Sequence, residues 1–221
     1  MRIANCLFAA WATLKFQGLV DCKSDSPKNS PSVKYGEDSI KVADVFDLAA
    51  DSSKGKSAEH FEYQAHTSRL MNLIVHSMYV NPEVFIRELL ANACDAIDKL
   101  RREAFGKPEL ASEITKEARV IVRVDKAAGT ISFTDNGIGM SKQELKDYLG
   151  TIAKSGTAET LAKIQESKDA STLIGQFGVG FYSAFLVANQ VAVASKSDKD
   201  PKQHLWISNA DSGDYTILVD P

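Results

Sequence analysis

The sequence predicts an α+β fold, a two-layer α/β sandwich whose mostly antiparallel sheet is covered on one face by helices. Short segments with alternating or β-branched apolar residues fall at 118–134, 190–195, 204–207 and 215–219. Longer segments at 68–80 and 83–104 repeat apolar residues at three-to-four spacing, the pattern of helices packed by one side. Strands at hairpin distance with helices gathered to one side make one antiparallel layer and one helical layer.

At 221 residues, with 44% hydrophobic and 25% charged content, the chain has the makings of one cored domain plus an extension. The division falls near residue 58. Arg2 opens a short basic start, a mostly apolar run covers 3–14, and Lys15 follows. That run is too short to span a bilayer and has the length of the apolar part of a signal peptide. Residues 23–58 are rich in Ser, Lys and Asp and carry Pro27, Pro31 and Gly55, so a linker is expected there, with 40–48 as a transient helix. Asp21, Asp25, Glu37 and Asp38 argue against a simple mitochondrial transit peptide. The plan is an extension at 1–58, either a targeting leader with its linker or a non-targeting segment, and a domain at 59–221.

Within the domain, residues 61–64 read as a short edge strand. The 68–80 helix places Leu70, Leu73, Ile74 and Ser77 on its inner side. Asn81 and Pro82 start the next helix, about 83–104. Its Glu88, Asn92, Asp95 and Lys99 share one face, and Ile86, Leu90, Ala93 and Ile97 are expected to pack inward from the other. A hairpin at 118–134 alternates Val120, Val122, Val124 with Ile131 and Phe133. A short helix at 142–149 precedes a long stretch, 150–178, punctuated by Gly150, Gly156 and Gly175, with an amphipathic piece at 159–164.

A net charge of −3 offers no basic surface for nucleic acid. Cys6, Cys22 and Cys94 have no paired spacing, and His60, His66, His76 and His204 match no zinc pattern. Neither a disulfide framework nor a transition-metal site is expected.

Three motifs carry the chemistry. In Gly175-Gln-Phe-Gly-Val-Gly-Phe181, three glycines let backbone amides turn inward around a phosphate, with a helix expected at once from Tyr182; a purely structural turn is the alternative. The polar face of the 83–104 helix is either solvated or aimed at a ligand. Asn92 has the amide oxygen that suits Mg²⁺, and Glu88 one turn away has the carboxylate that takes a proton from water. Asp135-Asn-Gly-Ile-Gly-Met140 is either an ordinary turn or a strand-end acceptor for an exocyclic amine, with Gly139 giving close approach and Met140 a polarisable wall.

Arg87-Glu-Leu, Asn92-Ala and Asp95, Asp135-Asn-Gly-Ile-Gly-Met140, Leu149-Gly-Thr-Ile-Ala-Lys-Ser-Gly-Thr157 and Gly175-Gln-Phe-Gly-Val-Gly-Phe-Tyr-Ser183 together resemble the N-terminal ATPase domain of the heat-shock protein 90 chaperones, a Bergerat-fold family. The resemblance covers residues 59–221 and includes the spacing between motifs. It implies ATP or ADP and Mg²⁺ as cofactors. It also implies that Asp135 bonds the adenine amine, Gly139 and Met140 line the base, and Asn92 ligates Mg²⁺. By the same likeness Glu88 orients and deprotonates the attacking water, Asp95 orders water nearby, Lys154 meets phosphate from a lid at 150–178, and Gly178, Val179, Gly180 and Phe181 offer backbone donors. Lid closure would couple nucleotide state to homodimerisation of the full-length protein, with client proteins and co-chaperones as partners and no membrane span.

The details of 61–77 resemble the organellar members, so a plastid or mitochondrial location is expected, with the endoplasmic reticulum lumen or cytoplasm as alternatives. Ala91 and Cys94 stand where the family usually has serines, Tyr148 where Asn is frequent, and His66 and Pro82 replace an acid and a lysine. The family continues past the equivalent of Pro221 into a strand that completes the sheet and into middle and dimerisation domains. The last strand is therefore expected to be missing, leaving neighbouring backbone unpaired, and weak turnover is expected for this chain alone. The runner-up is a nucleotide-sensing interaction module with little turnover.

Overall fold

A computed structural model describes residues 10–15, 58–63, 81–105, 118–150 and 180–219. The helix expected at 68–80 and the amphipathic piece at 159–164 lie outside the described residues. Among the described residues seven strands form one sheet: β1 (Ala10–Lys15), β2 (Glu59–Glu62), β3 (Val120–Asp125), β4 (Thr130–Asp135), β5 (Gln190–Ser195), β6 (His204–Asn209) and β7 (Asp214–Val219). Their order is β2-β7-β6-β5-β1-β4-β3, and every neighbouring pair is antiparallel.

Local chemistry fixes the hairpins. Between β3 and β4 the Asp125 carboxylate accepts from the amides of Ala127 and Ala128, and Gly129 takes a φ of 61° to close the turn. The register then sets Val122 against Phe133 and Val124 against Ile131. Val122 and Val124 are nevertheless exposed, because β3 is the edge of the sheet.

The middle of the sheet comes from an unexpected place. The sequence reading assigns 10–15 to an extension outside the domain, and in the structure this segment is β1. It pairs with β4 from Ala10↔Asp135 to Lys15↔Thr130, and with β5 from Ala10↔Ser195 to Lys15↔Gln190. The physical reason is backbone satisfaction. β4 and β5 each present a free edge to the other, and one extended segment completes both ladders. The expected unpaired backbone does not occur along this seam.

Helices α1 (Val84–Ala104) and α2 (Lys142–Leu149), with a 3₁₀ helix at Gly180–Leu186, form the second layer. The carbonyls of Asn81 and Pro82 accept from the amides of Val84 and Phe85 at the start of α1. Arg101 and Arg102 occupy its last turn, where cations favour the helix dipole. Its buried stripe is Phe85, Leu89, Ala93, Ile97 and Ala104, one residue off the expected stripe at the N-terminal end. Ile86 is 40% exposed and Leu90 only partly buried. The anchor that decides this is Phe85, packed edge-on against Phe133 of β4 with ring centroids 6.1 Å apart. In α2 a capping box between Ser141 and Glu144 starts the helix, and Leu145 and Leu149 face the core.

The run after the glycine motif, expected as an α-helix, is a 3₁₀ helix. Ser183 Oγ donates to the Gly180 carbonyl at 2.5 Å, a local bond that competes with the α pattern. Phe181 stacks edge-on against both Tyr182 and Trp206, at 5.4 and 5.6 Å, and Trp206, Tyr182 and Leu145 are fully buried. On the opposite side of the sheet Ala192, Ala194, Leu205, Ile207 and Leu218 are also buried, with Ala58 packed against them.

Candidate functional site

Asp135 is the last residue of β4 and only 8% exposed. Its Oδ1 accepts from the Gly137 amide at 2.8 Å, and Oδ2 has no hydrogen-bond partner among the described residues. Burial pushes its pKa up to about 6, opposed in part by the Gly137 bond. A buried carboxylate with one open oxygen is a strong acceptor for a ligand's N–H.

The loop after Asp135 is clamped on two sides. Ile138 donates its amide to the Ala96 carbonyl of α1 at 3.1 Å, and Met140 donates to Ser195 Oγ at 2.8 Å. A Cβ on Gly137 would lie 2.6 Å from Ala96. Gly139 has a φ of 66°, and a Cβ there would fall 1.9 Å from the Lys196 carbonyl oxygen. Glycine is the residue this approach admits. The Asp135 motif is thereby joined to α1 within a turn of Asn92 and Asp95.

The second junction is at Glu88. A Cβ on Gly180 would meet Glu88 Oε2 at 2.5 Å, so the end of the glycine motif abuts this carboxylate. Glu88 Oε1 accepts from Arg87 Nε and Nη2 at 3.3 and 3.2 Å, with Glu88 mostly covered and Arg87 mostly exposed. Asn92 and Asp95 lie on the exposed side of α1.

Of the residues expected from sequence, α1 joins Glu88, Asn92 and Asp95 on one element with Asp135, Gly139 and Met140 at one contact and Gly180 at another. Phe181 directs its ring into the core. Lys154, Gly178 and Val179 lie outside the described residues. Four contributors have no role in the sequence reading: Arg87 and Gly137, which stand inside quoted motifs, Ala96 through its carbonyl, and Ser195. Gly137 sits inside a motif that reads as a turn, and a serine ending a strand carries no signal of its own.

One further contact bears on the site. Tyr182 donates its hydroxyl to the Leu149 carbonyl at 2.9 Å, bringing together the two ends of the stretch 151–179. Burial holds that hydroxyl well above the usual tyrosine range, so it stays a donor.

Comparison with known proteins adds the following. The family profile described as "Histidine kinase-, DNA gyrase B-, and HSP90-like ATPase" matches residues 80–219. The chain is 54% identical over 166 residues to heat shock protein 90-6, mitochondrial, of Arabidopsis thaliana, covering 74% of this chain and 21% of that protein. It is 54% identical over 164 residues to heat shock protein 90-5, chloroplastic, of the same plant, covering 73% and 21%. It is 43% identical over 201 residues to an endoplasmin homolog of Caenorhabditis elegans, covering 89% and 26%. The chain thus spans about a fifth to a quarter of the length of these relatives.

Proposed function

Since the chain belongs to the histidine kinase-, DNA gyrase B- and HSP90-like ATPase family, as an ATP-binding domain of the heat-shock protein 90 type, we propose that nucleotide sits between α1 and the sheet, adenine at Asp135 and phosphates toward Gly180. The observation that carries this reading is the open Oδ2 of a nearly buried Asp135. Gly139 and Met140 line the base. The amides of Gly178, Val179, Gly180 and Phe181, with Lys154, take the phosphates.

Asn92 offers its amide oxygen to Mg²⁺, which supplies charge neutralisation across the phosphates. Mg²⁺ needs few protein ligands, so a single carboxamide on α1 would be enough protein to hold it. Glu88 receives the proton of the attacking water, and its contact with Gly180 keeps the carboxylate beside the phosphate end. Asp95 orders water on the same face.

For the whole protein we propose a homodimeric chaperone that folds clients with co-chaperones, the 150–178 segment closing over nucleotide. The plant relatives support a plastid or mitochondrial location. The endoplasmin alignment is longer than 59–221 and supports the endoplasmic reticulum as the alternative. Among the described residues no helix is long and apolar enough to cross a membrane. The Arg87–Glu88 ion pair favours a second reading, a nucleotide sensor with little turnover, because the guanidinium occupies one of the two carboxylate oxygens.

Melting curves with and without Mg-ADP test the binding claim: the wild type should shift upward and Asp135→Asn should not. With Oδ1 taken by Gly137, an Asn at 135 presents its NH₂ to the adenine amine, donor against donor. Phosphate release separates the two readings. Glu88→Ala should keep the melting shift and lose turnover; loss of both would remove Glu88 from the role of base.

A further inference from the structure

The hairpin between β5 and β6 is fastened to the segment 139–144 at four places. A Cβ on Gly139 would meet the Lys196 carbonyl oxygen at 1.9 Å, and the Met140 amide donates to Ser195 Oγ at 2.8 Å. Two residues on, the Lys142 amide donates to Asp200 Oδ2 at 3.3 Å, and Lys199 Nζ reaches Glu144 Oε1 at 3.1 Å. The Lys199–Glu144 pair is largely exposed and contributes little. Asp200 is buttressed, and the nucleotide reading gives it no role.

Asp200 Oδ1 accepts from the Lys202 amide at 3.1 Å, and His204 Nε2, in a residue only 4% exposed, donates to Oδ2 at 2.8 Å. The Asp200 carbonyl accepts from Lys196 Nζ, which also reaches the Ser197 carbonyl, so the turn is tied across its own base. Burial pushes the Asp200 carboxyl up, but the bonds it accepts from Lys202, Lys142 and His204 outweigh this. It lies below the ordinary carboxylate range and stays an acceptor. Lys142 is the first residue of α2, and the opening amides of a helix have no partner within it. Asp200 supplies one from outside. Only Ser141, extended at a ψ of 166°, separates Lys142 from Met140. Two residues span at most ~7 Å, so a shift of Lys142 reaches Met140.

We propose that Asp200 is a positioning residue of the nucleotide site: by holding the Lys142 amide it fixes Met140 against the base, with the β5–β6 hairpin as its platform. The Asp135 side is anchored separately, through the Gly137 amide and the Ile138–Ala96 bond. Loss of the Asp200 bond therefore loosens one wall of the base site and leaves the acceptor in place. This role rests on the nucleotide reading above, whereas the attachment of the hairpin to α2 does not.

Lys142→Pro removes the amide donor. Proline suits the first helical position, and Ser141 already has the extended backbone that a following proline requires. Lys142→Ala is the matched reference, since it loses the same side chain and its ion pair with Glu59 but keeps the N–H. Titration of the full chain with Mg-ADP, well below melting, should give a Kd about 5-fold or more higher for Lys142→Pro than for Lys142→Ala. Asp200→Ala should weaken binding by a similar factor relative to wild type. Added to Lys142→Pro, it should cost less than about 2-fold more, because both changes delete one bond. In hydrogen exchange the Met140 amide should exchange about 10-fold faster in either variant, while those of Gly137 and Ile138 keep the wild-type rate.

Equal Kd values for Lys142→Pro and Lys142→Ala overturn the proposal, even if melting falls, since Asp200 would then be structural only. Losses that multiply in the double variant overturn it as well, and so does weaker binding with Met140 exchange unchanged. If Asp200→Ala does not fold, the two Lys142 variants decide. A wild type that binds no Mg-ADP removes the nucleotide reading and the positioning role with it, while the exchange pattern still decides whether Asp200 holds Met140.

Discussion

Asp135 carries a charge where the surroundings disfavour one. Its pKa of about 6 lies above the ordinary 3.8, so between those values the native state holds more proton than the unfolded chain. The stability this group contributes is full below pH 3.8 and is lost as pH rises through 6, a swing on the order of 3 kcal/mol. Asp135→Asn should therefore stabilise the nucleotide-free protein by ~1–3 kcal/mol at pH 8, with the advantage shrinking toward pH 4. Urea unfolding of both proteins at pH 4.5, 6 and 8 measures it. Nucleotide affinity should run the other way, falling below about pH 6 as the proton turns the acceptor oxygen into a donor.

Gly180 makes a complementary case. An alanine there strikes the far end of a flexible side chain, Glu88 Oε2, rather than backbone. Gly180→Ala should thus cost about 1 kcal/mol or less in stability while displacing the carboxylate and lowering turnover. Equal losses in both would mean the contact is structural. Gly139→Ala contrasts with it, because a backbone carbonyl blocks the new methyl and φ is left-handed.

Among the elements, α1 shows how far the sequence could be read. Its existence, start and polar face follow from periodicity and from Asn81-Pro82, since these are local properties. Its inward stripe does not, because Phe85 and Ile86 are both apolar and adjacent, and helical spacing cannot choose between them. Phe133, far along the chain, makes the choice. Leu89→Ala should consequently cost about 2–4 kcal/mol, and Ile86→Ala less than about 1. Thermal or urea unfolding distinguishes them, and similar values would return the stripe to the position read from sequence. The 3₁₀ helix was hidden for a related reason. Apolar composition announces a buried segment, while the Ser183–Gly180 bond that tightens it depends on backbone already in place.

On the scale of the whole molecule, the antiparallel layer and the helical layer were legible because each needs only patterns of two and of three to four residues. The position of β1 was not. Its partners lie more than a hundred residues downstream, and an apolar run of that length reads equally well as a leader. The meeting of Glu88 with Gly180, and of Ala96 with Ile138, was likewise non-local, although the motifs containing them were recognisable one at a time.

The bond from Tyr182 to Leu149 fastens the polypeptide just before residue 151 to the polypeptide just after residue 179. The joint therefore closes a ring of chain with a fastening made by Leu149 and Tyr182 themselves. Splicing a Gly-Ser bridge of about eight residues, with a reach of about 26 Å, in place of 151–179 should leave cooperative melting intact. It should abolish turnover, and a molten product would mean the joint does not hold by itself. Such a joint is where evolution, or an engineer, can exchange one connecting segment for another while its two anchors stay in place.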